Sequence, residues 1–228
     1  MVKIKAVLFD LDRTLINSGP AHDEIINPRV SREFGFKEPV RFKGRPIYPM
    51  LKAHGFSLER IKAYTNRIEQ LEFECCVRVF PKTNELLRGL RQRGITTAVA
   101  TNRPTTKRYF EALRHFGLKI ENIDWFLNAD FYPPEITTSD NHLSAAVPKP
   151  YKHFFDPLMP HLFALPVFPK SILMVGDHLF DWRAARKNNF DFIPVLSGAY
   201  PEPRSWLKAG CDGPFIRDVG VLYKWWFC

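Results

Sequence analysis

Short apolar runs punctuate this chain, and several end on an acid, a threonine or a glycine: KAVLFD (5–10), ITTAVATN (95–102), SILMVGD (171–177) and FDFIPVLS (190–197). Such runs fit strands buried on both faces, the pattern of a parallel sheet. Charged, helix-compatible stretches lie among them. Asn84 to Arg93 leads into the second run, and Thr105 to Phe116 and Asp181 to Asn188 separate the later ones. Strand and helix in alternation predict an α/β core with a doubly wound, Rossmann-like parallel sheet.

The alternation breaks from about Ser18 to Val79, which holds no buried-strand pattern but has helix-compatible sequence such as Leu58 to Val77. This predicts a small helical domain, residues 18–79, inserted after the first strand, with residues 1–17 and 80–228 forming the core. Phe80-Pro81 marks the return, because a proline turns the residue before it away from helical geometry. A second break, Asp130 to Lys149, shows no period and reads as a long loop, functional or mobile as such loops generally are. No internal repeat or low-complexity tract is present.

Composition adds bounds. With 228 residues, 45% of them hydrophobic and 25% charged, the chain suffices for one large domain or for a domain with an insert. A net charge of +9 and a pI near 9.5 suit an anionic partner: a phosphorylated metabolite, nucleic acid or a membrane surface. The cations are dispersed, as in Arg88, Arg91, Arg93, Arg103, Lys107 and Arg108, and read mostly as solvated helix faces that also steer an anionic substrate. Cys75, Cys76, Cys211 and Cys228 lack CxxC spacing and read as reduced thiols of a cytoplasmic protein. Ile4 to Phe9 is too short for a signal peptide, and no run approaches the length of a membrane span, so neither export nor insertion is expected.

The chemistry-bearing residues cluster at the ends of the apolar runs. Asp10-Leu11-Asp12-Arg13-Thr14 closes the first, and a strand end of this kind sends both carboxylates toward one crevice. Paired acids there suit Mg²⁺, which takes oxygen ligands from one or two carboxylates, water and a substrate phosphate. The plainer alternative is a cap for the following turn. Thr101-Asn102 closes the second run with two donors for phosphate oxygens, although a turn with an N-cap has the same sequence. Lys149 sits between Pro148 and Pro150, a cation on stiff backbone able to balance phosphate and nucleophile charge, or an ordinary exposed loop lysine. Gly176-Asp177-His178-Leu179-Phe180-Asp181 closes the third run with two more acids, either of which also fits an N-cap, and Gly176 permits close backbone approach.

In their order and spacing these four signals, FDLDRTL, VATN, Lys149 in PKP, and MVGDHLFD, resemble the four motifs of the haloacid dehalogenase superfamily over nearly the whole chain. The resemblance implies that Asp10 is the nucleophile, forming an aspartyl phosphate, and that Asp12 is general acid and then base. It implies Mg²⁺ held by Asp10, the Asp12 main-chain carbonyl and Asp177, with Asp181 a ligand directly or through water. Thr101 and Lys149 would stabilise charge on the transferring group, with Asn102 beside them on the phosphate. Asp12 itself favours phosphoryl transfer, since the dehalogenases lack this second aspartate and the phosphonatases have a small residue there. Arg13 departs from the glycine usual at its position and is expected to alter the local backbone or add a cation beside the phosphate. The place of the insert resembles the helical cap of the phosphoglycolate phosphatase and β-phosphoglucomutase branch. Within it, Phe42-Lys43-Gly44-Arg45-Pro46 resembles a cap loop whose Arg45 or Lys43 meets an anionic leaving group, or is an exposed helix-entry turn.

The expected activity is Mg²⁺-dependent hydrolysis of a small phosphorylated metabolite. A phosphomutase shares every one of these residues, but no bisphosphate-holding residues are matched. A non-catalytic anion- or nucleic-acid-binding relative would fit the basic balance and the 14% aromatic content, yet Asp10 and Asp12 are both kept. Phe154, Phe155, Trp225 and Trp226 are read more simply as core or a packed C-terminal element. Sugar phosphates, phosphoglycolate, nucleotides and pyrophosphate all fit the same cap, and neither substrate nor oligomeric state is specified.

Overall fold

The apolar runs become the centre of one parallel sheet. The computed structural model describes residues 3–40, 47–75, 77–103, 108–129, 141–145, 147–163 and 168–228. Six strands, β1 (Ala6–Phe9), β2 (Thr96–Thr101), β3 (Trp125–Ala129), β4 (His142–Ala145), β5 (Ile172–Gly176) and β6 (Asp191–Pro194), lie in the order β4-β3-β2-β1-β5-β6. All neighbours run parallel. The strands following β1 build outward to β4, and the chain then returns to place β5 on the other side of β1. The growth direction therefore reverses next to β1, which opens a crevice at the strands' carboxyl ends.

The reason for the apolar runs is visible in β1, whose four residues are fully buried. Val7 and Phe9 join the core on one face, while Ala6 and Leu8 join the core on the other. Alternate residues point to opposite faces, so a strand covered on both needs apolar residues throughout. The first face is covered by α4 (Thr83–Gln92), α5 (Tyr109–His115) and α9 (Val219–Phe227), through Leu86, Leu90, Leu113 and Leu222. The second is covered by α6 (Met159–Phe163) and α7 (Leu179–Lys187), together with the buried Phe154 and Phe155. A short α8 (Pro203–Ala209) buries Trp206 beside Phe192.

Among the described residues, the regular elements between β1 and α4 are helices. A π-helical segment, Ala21–Ile26, runs into α1 (Asn27–Glu33), followed by α2 (Ile47–Ala53) and α3 (Leu58–Glu74). Ser57 caps α3 by accepting the Arg60 N–H at 3.3 Å. Ile61, Tyr64, Ile68 and Leu71, at helical spacing, meet Ile26, Val30, Val40 and Leu51 in a cluster separate from both sheet cores. The chain enters and leaves this layer side by side. The Asn17 N–H donates to the Arg78 carbonyl at 2.7 Å, the Phe80 N–H to the Leu15 carbonyl at 2.9 Å, and Ile16 pairs with Val79 in an antiparallel bridge.

Two elements correct the sequence reading. β3 was not anticipated, and β4 lies inside the stretch read as an irregular loop. β4 is an edge strand of only four residues, three of them half-buried, so it has no continuous apolar run to reveal it. Residues 130–140 and 146 of that stretch lie outside the described residues, as do Lys43, Arg45 and Cys76. Among the described residues no helix is long and apolar enough to cross a membrane.

Leu71 is almost wholly buried in the separate helical cluster. Leu71→Ala is expected to lower stability by about 2–5 kcal/mol in denaturant unfolding. A loss below about 1 kcal/mol would mean that the helical layer collapses around the gap and has no well-packed core of its own.

Candidate active site

Each acid of the crevice is placed by a strand end. Asp10 follows β1 directly, its N–H donating to the Val175 carbonyl of β5 at 2.9 Å, and its side chain is 11% exposed. Asp177 follows β5, and Asp181 sits in the first turn of α7, buried and accepting the His178 N–H at 3.0 Å. Two glycines make this crowding possible. A Cβ on Gly176 would lie 2.5 Å from an Asp181 oxygen, and one on Gly198 would lie 1.8 Å from an Asp177 oxygen. The loop after β6 thereby closes on Asp177, whose carboxylate accepts the Ala199 N–H at 2.9 Å.

Lys149 is not the exposed loop lysine of the alternative reading: it is 2% exposed. Its ammonium donates to Asp10 Oδ1 and Asp181 Oδ1 at 2.6 Å each and to the Ala100 carbonyl at 2.7 Å, which uses all three N–H donors. Asn102 holds the lysine's backbone from both sides. Its Oδ1 accepts the Lys149 N–H at 2.8 Å, and its Nδ2 donates to the Lys149 carbonyl at 3.3 Å. The amide expected to reach substrate thus also clamps the backbone of the lysine expected beside it. Thr101, buried at the end of β2, accepts the Arg103 N–H at 3.1 Å and retains its own proton for another acceptor.

The Asp12 carboxylate faces a different set of partners. Ser18 donates to its Oδ1 at 2.8 Å, and Arg103 grips it with Nη2 to Oδ1 at 2.7 Å and Nε to Oδ2 at 3.0 Å. The same guanidinium binds Glu72 of α3, with Nη1 to Oε2 at 2.7 Å and Nη2 to Oε1 at 2.6 Å, and His22 approaches Glu72 Oε1 at 2.5 Å. Sequence reasoning missed Ser18, His22, Glu72, Arg103 and Gly198 as site residues. A signal for Glu72 existed: Glu69 and Glu72 fall on the buried face of the amphipathic α3. Arg13 bears out the expected change in local backbone. It adopts φ 63°, where glycine is at ease, and its Nη2 meets Asp23 of the helical layer at 2.7 Å.

These residues line a cavity of about 730 Å³ between the sheet crevice and the helical layer. Its electrostatics divide in two. Burial drives the Asp10 carboxyl well above the usual range, against the pull of Lys149 and with Asp181 and Asp177 adding to the rise. Asp177 is pushed up to about 7 by burial and by Asp181. Burial would lower Lys149, but Asp10 and Asp181 hold it above its ordinary value. Desolvation would raise Asp12 too, yet Arg103 keeps it well below the usual carboxylate range, and Glu72 is lowered by the same guanidinium and His22 against its own burial. Asp10, Asp177 and Asp181 form one buried group whose ligand atoms lie within 4.8 Å of one another.

A doubly wound sheet with paired acids and a lysine at its carboxyl edge defines a hydrolase of the haloacid dehalogenase type. The model of that family, haloacid dehalogenase-like hydrolase, matches residues 7–195, and the chain belongs to it. A protein of Caldanaerobacter subterraneus subsp. tengcongensis, provisionally named the pyrophosphatase PpaX, is 27% identical over 98% of this chain and 94% of its own length. The pyrophosphatase PpaX of Oceanobacillus iheyensis is 23% identical over 96% of this chain and 94% of its own. Among solved structures, a predicted phosphatase from Clostridium acetobutylicum shares the fold with a TM-score of 0.69 at 23% identity, over 97% of each chain.

The raised Asp177 has a consequence for metal-free protein. The folded state holds a proton there up to about pH 7, whereas the unfolded chain releases it near the ordinary 3.8. The folded state therefore binds more protons between these values, and this contribution to stability falls as pH rises through that window. Asp177→Asn removes it. With metal chelated, its melting temperature is expected to exceed that of wild type at pH 8, with the difference closing toward pH 4. A difference independent of pH would contradict the assignment.

Proposed function

We propose that this chain is a Mg²⁺-dependent phosphatase that hydrolyses a small phosphorylated metabolite through an aspartyl phosphate on Asp10. The observation that carries the reading is the buried cluster of Asp10, Asp177 and Asp181 around the single ammonium of Lys149. That donor set fits the metal: all ligand atoms are carboxylate oxygens, as Mg²⁺ prefers, and three buried acids against one lysine leave negative charge to be balanced. Asp10 and Asp177 would hold the ion, with the Asp12 main-chain carbonyl, and Asp181 would ligate it or orient it through water. When bound, the ion draws charge from the phosphoryl oxygens and screens them from the attacking carboxylate.

The chain's own groups supply the rest. An Asp10 oxygen attacks phosphorus, while Lys149 and the Thr101 hydroxyl take up charge on the transferring oxygens. Asp12 gives a proton to the departing oxygen and then takes one from the water that splits the acyl phosphate. The carboxylate gripped by Arg103 and Ser18 is the form required for that second step. The protonated form of the first step loses the charge assistance of these bonds, which weakens the Arg103 grip. Residues 18–79 act as a cap over the crevice, the sheet domain being residues 1–17 and 80–228. Arg45 and Lys43 are candidates to meet an anionic leaving group.

The test is phosphate release from pyrophosphate, phosphoglycolate, sugar phosphates, nucleotides and p-nitrophenyl phosphate, with Mg²⁺ or with EDTA. Turnover is expected with Mg²⁺ only, falling to background in Asp10→Asn and by about 100- to 1,000-fold in Lys149→Met. Undiminished turnover in Asp10→Asn would remove the nucleophile assignment.

A further inference from the structure

We propose that Glu72 is a positioning residue for the Asp12 carboxylate, acting through Arg103, so that seating α3 over the crevice and aiming the acid–base group are one event. The inference rests on the acid–base role assigned to Asp12 above. It begins from a charge that local structure does not explain: Glu72 is fully buried on a helix whose neighbouring buried positions are mostly apolar. A buried carboxylate is retained only where partners satisfy it. Its partners come from both sides of the cavity, the Arg103 fork from the sheet domain and His22 from the π-helical segment.

Arg103 has little freedom of its own. Its N–H donates to the Thr101 hydroxyl at 3.1 Å, and its carbonyl accepts from Asn128 Nδ2 at 3.0 Å, so the backbone is fixed at the end of β2. The side chain is 15% exposed, and its guanidinium spends four hydrogen bonds on two carboxylates, Glu72 and Asp12. A planar fork bridging two carboxylates transmits the position of one to the other, which a lysine's rotatable ammonium does not do. Arg103 hydrogen-bonds both Glu72 and Asp12 and so links the two carboxylates. With Glu72 removed, the fork is held by Asp12 alone and follows that carboxylate, so Asp12 loses its external reference.

The consequence is a selective defect. A mis-aimed acid harms departure of a poor leaving group far more than departure of one that leaves without a proton. Phenyl phosphate and p-nitrophenyl phosphate are close in shape and differ in this respect, and kcat/KM reports the steps through transfer to Asp10. Glu72→Gln is expected to lower kcat/KM for phenyl phosphate about 10-fold more than for p-nitrophenyl phosphate, within the range that general acid catalysis supplies. Arg103→Gln should show the same widened ratio. The double variant, which leaves neither buried charge unpaired and so guards against a folding failure of either single one, should widen it no further. Equal losses on the two substrates, or additive effects in the double variant, would overturn the proposal while leaving Asp10 as nucleophile. Turnover that survives Asp10→Asn would instead overturn the reading on which the proposal rests.

Discussion

Three buried carboxylates share one buried ammonium, and the architecture around them serves to hold that arrangement. Asp10, Asp177 and Asp181 cannot all be desolvated together without cations close by, because each ion taken out of water loses several kcal/mol of hydration. Lys149 answers two of the three directly and spends its last donor on the Ala100 carbonyl. The clamp of Asn102 on the lysine's backbone, the close approach at Gly176 and Gly198, and the Ala199 N–H on Asp177 each fix one wall of this charge cluster. The sheet supplies the rigid frame, since Asp10, Thr101 and Asp177 all stand at the carboxyl ends of adjacent strands.

A second charge cluster faces the first across the cavity and has the opposite character. Around Asp10 and Asp177 burial prevails and the carboxyls are pushed up, whereas around Asp12 and Glu72 the Arg103 guanidinium prevails and holds them down. Two aspartates two residues apart thus receive opposite environments. The second cluster also joins the helical layer to the sheet domain, through Glu72 and His22 on one side and Asp12 and Arg103 on the other.

How much of this was legible in the sequence follows from which interactions are local. β1 and β5 announced themselves because every residue is buried and the run is apolar, and β2 and β6 through the buried residues that follow their more exposed first positions. β4 did not, because His142 and Ser144 sit on a half-exposed edge. The acids were legible because a strand end fixes where its next residues point, and Lys149 because two prolines frame it. The clamp of Asn102 on Lys149 was not legible, because its partner is the backbone of a residue 47 positions away. The Arg103 and Glu72 pairing spans 31 positions and joins two layers, so no window along the chain contains it. Arg13 shows the converse, a local departure whose positive φ explains the glycine usual at that place in the family.

The central claim is that the Asp10 carboxylate takes the phosphoryl group. The most direct measurement is to quench the enzyme with acid during turnover in Mg²⁺ and determine by mass spectrometry which peptide has gained one phosphoryl group. The account predicts the adduct on the peptide containing Asp10, formed within a single turnover and absent from Asp10→Asn. An adduct on another residue, or turnover with no covalent adduct at any quench time while phosphate accumulates, would contradict it.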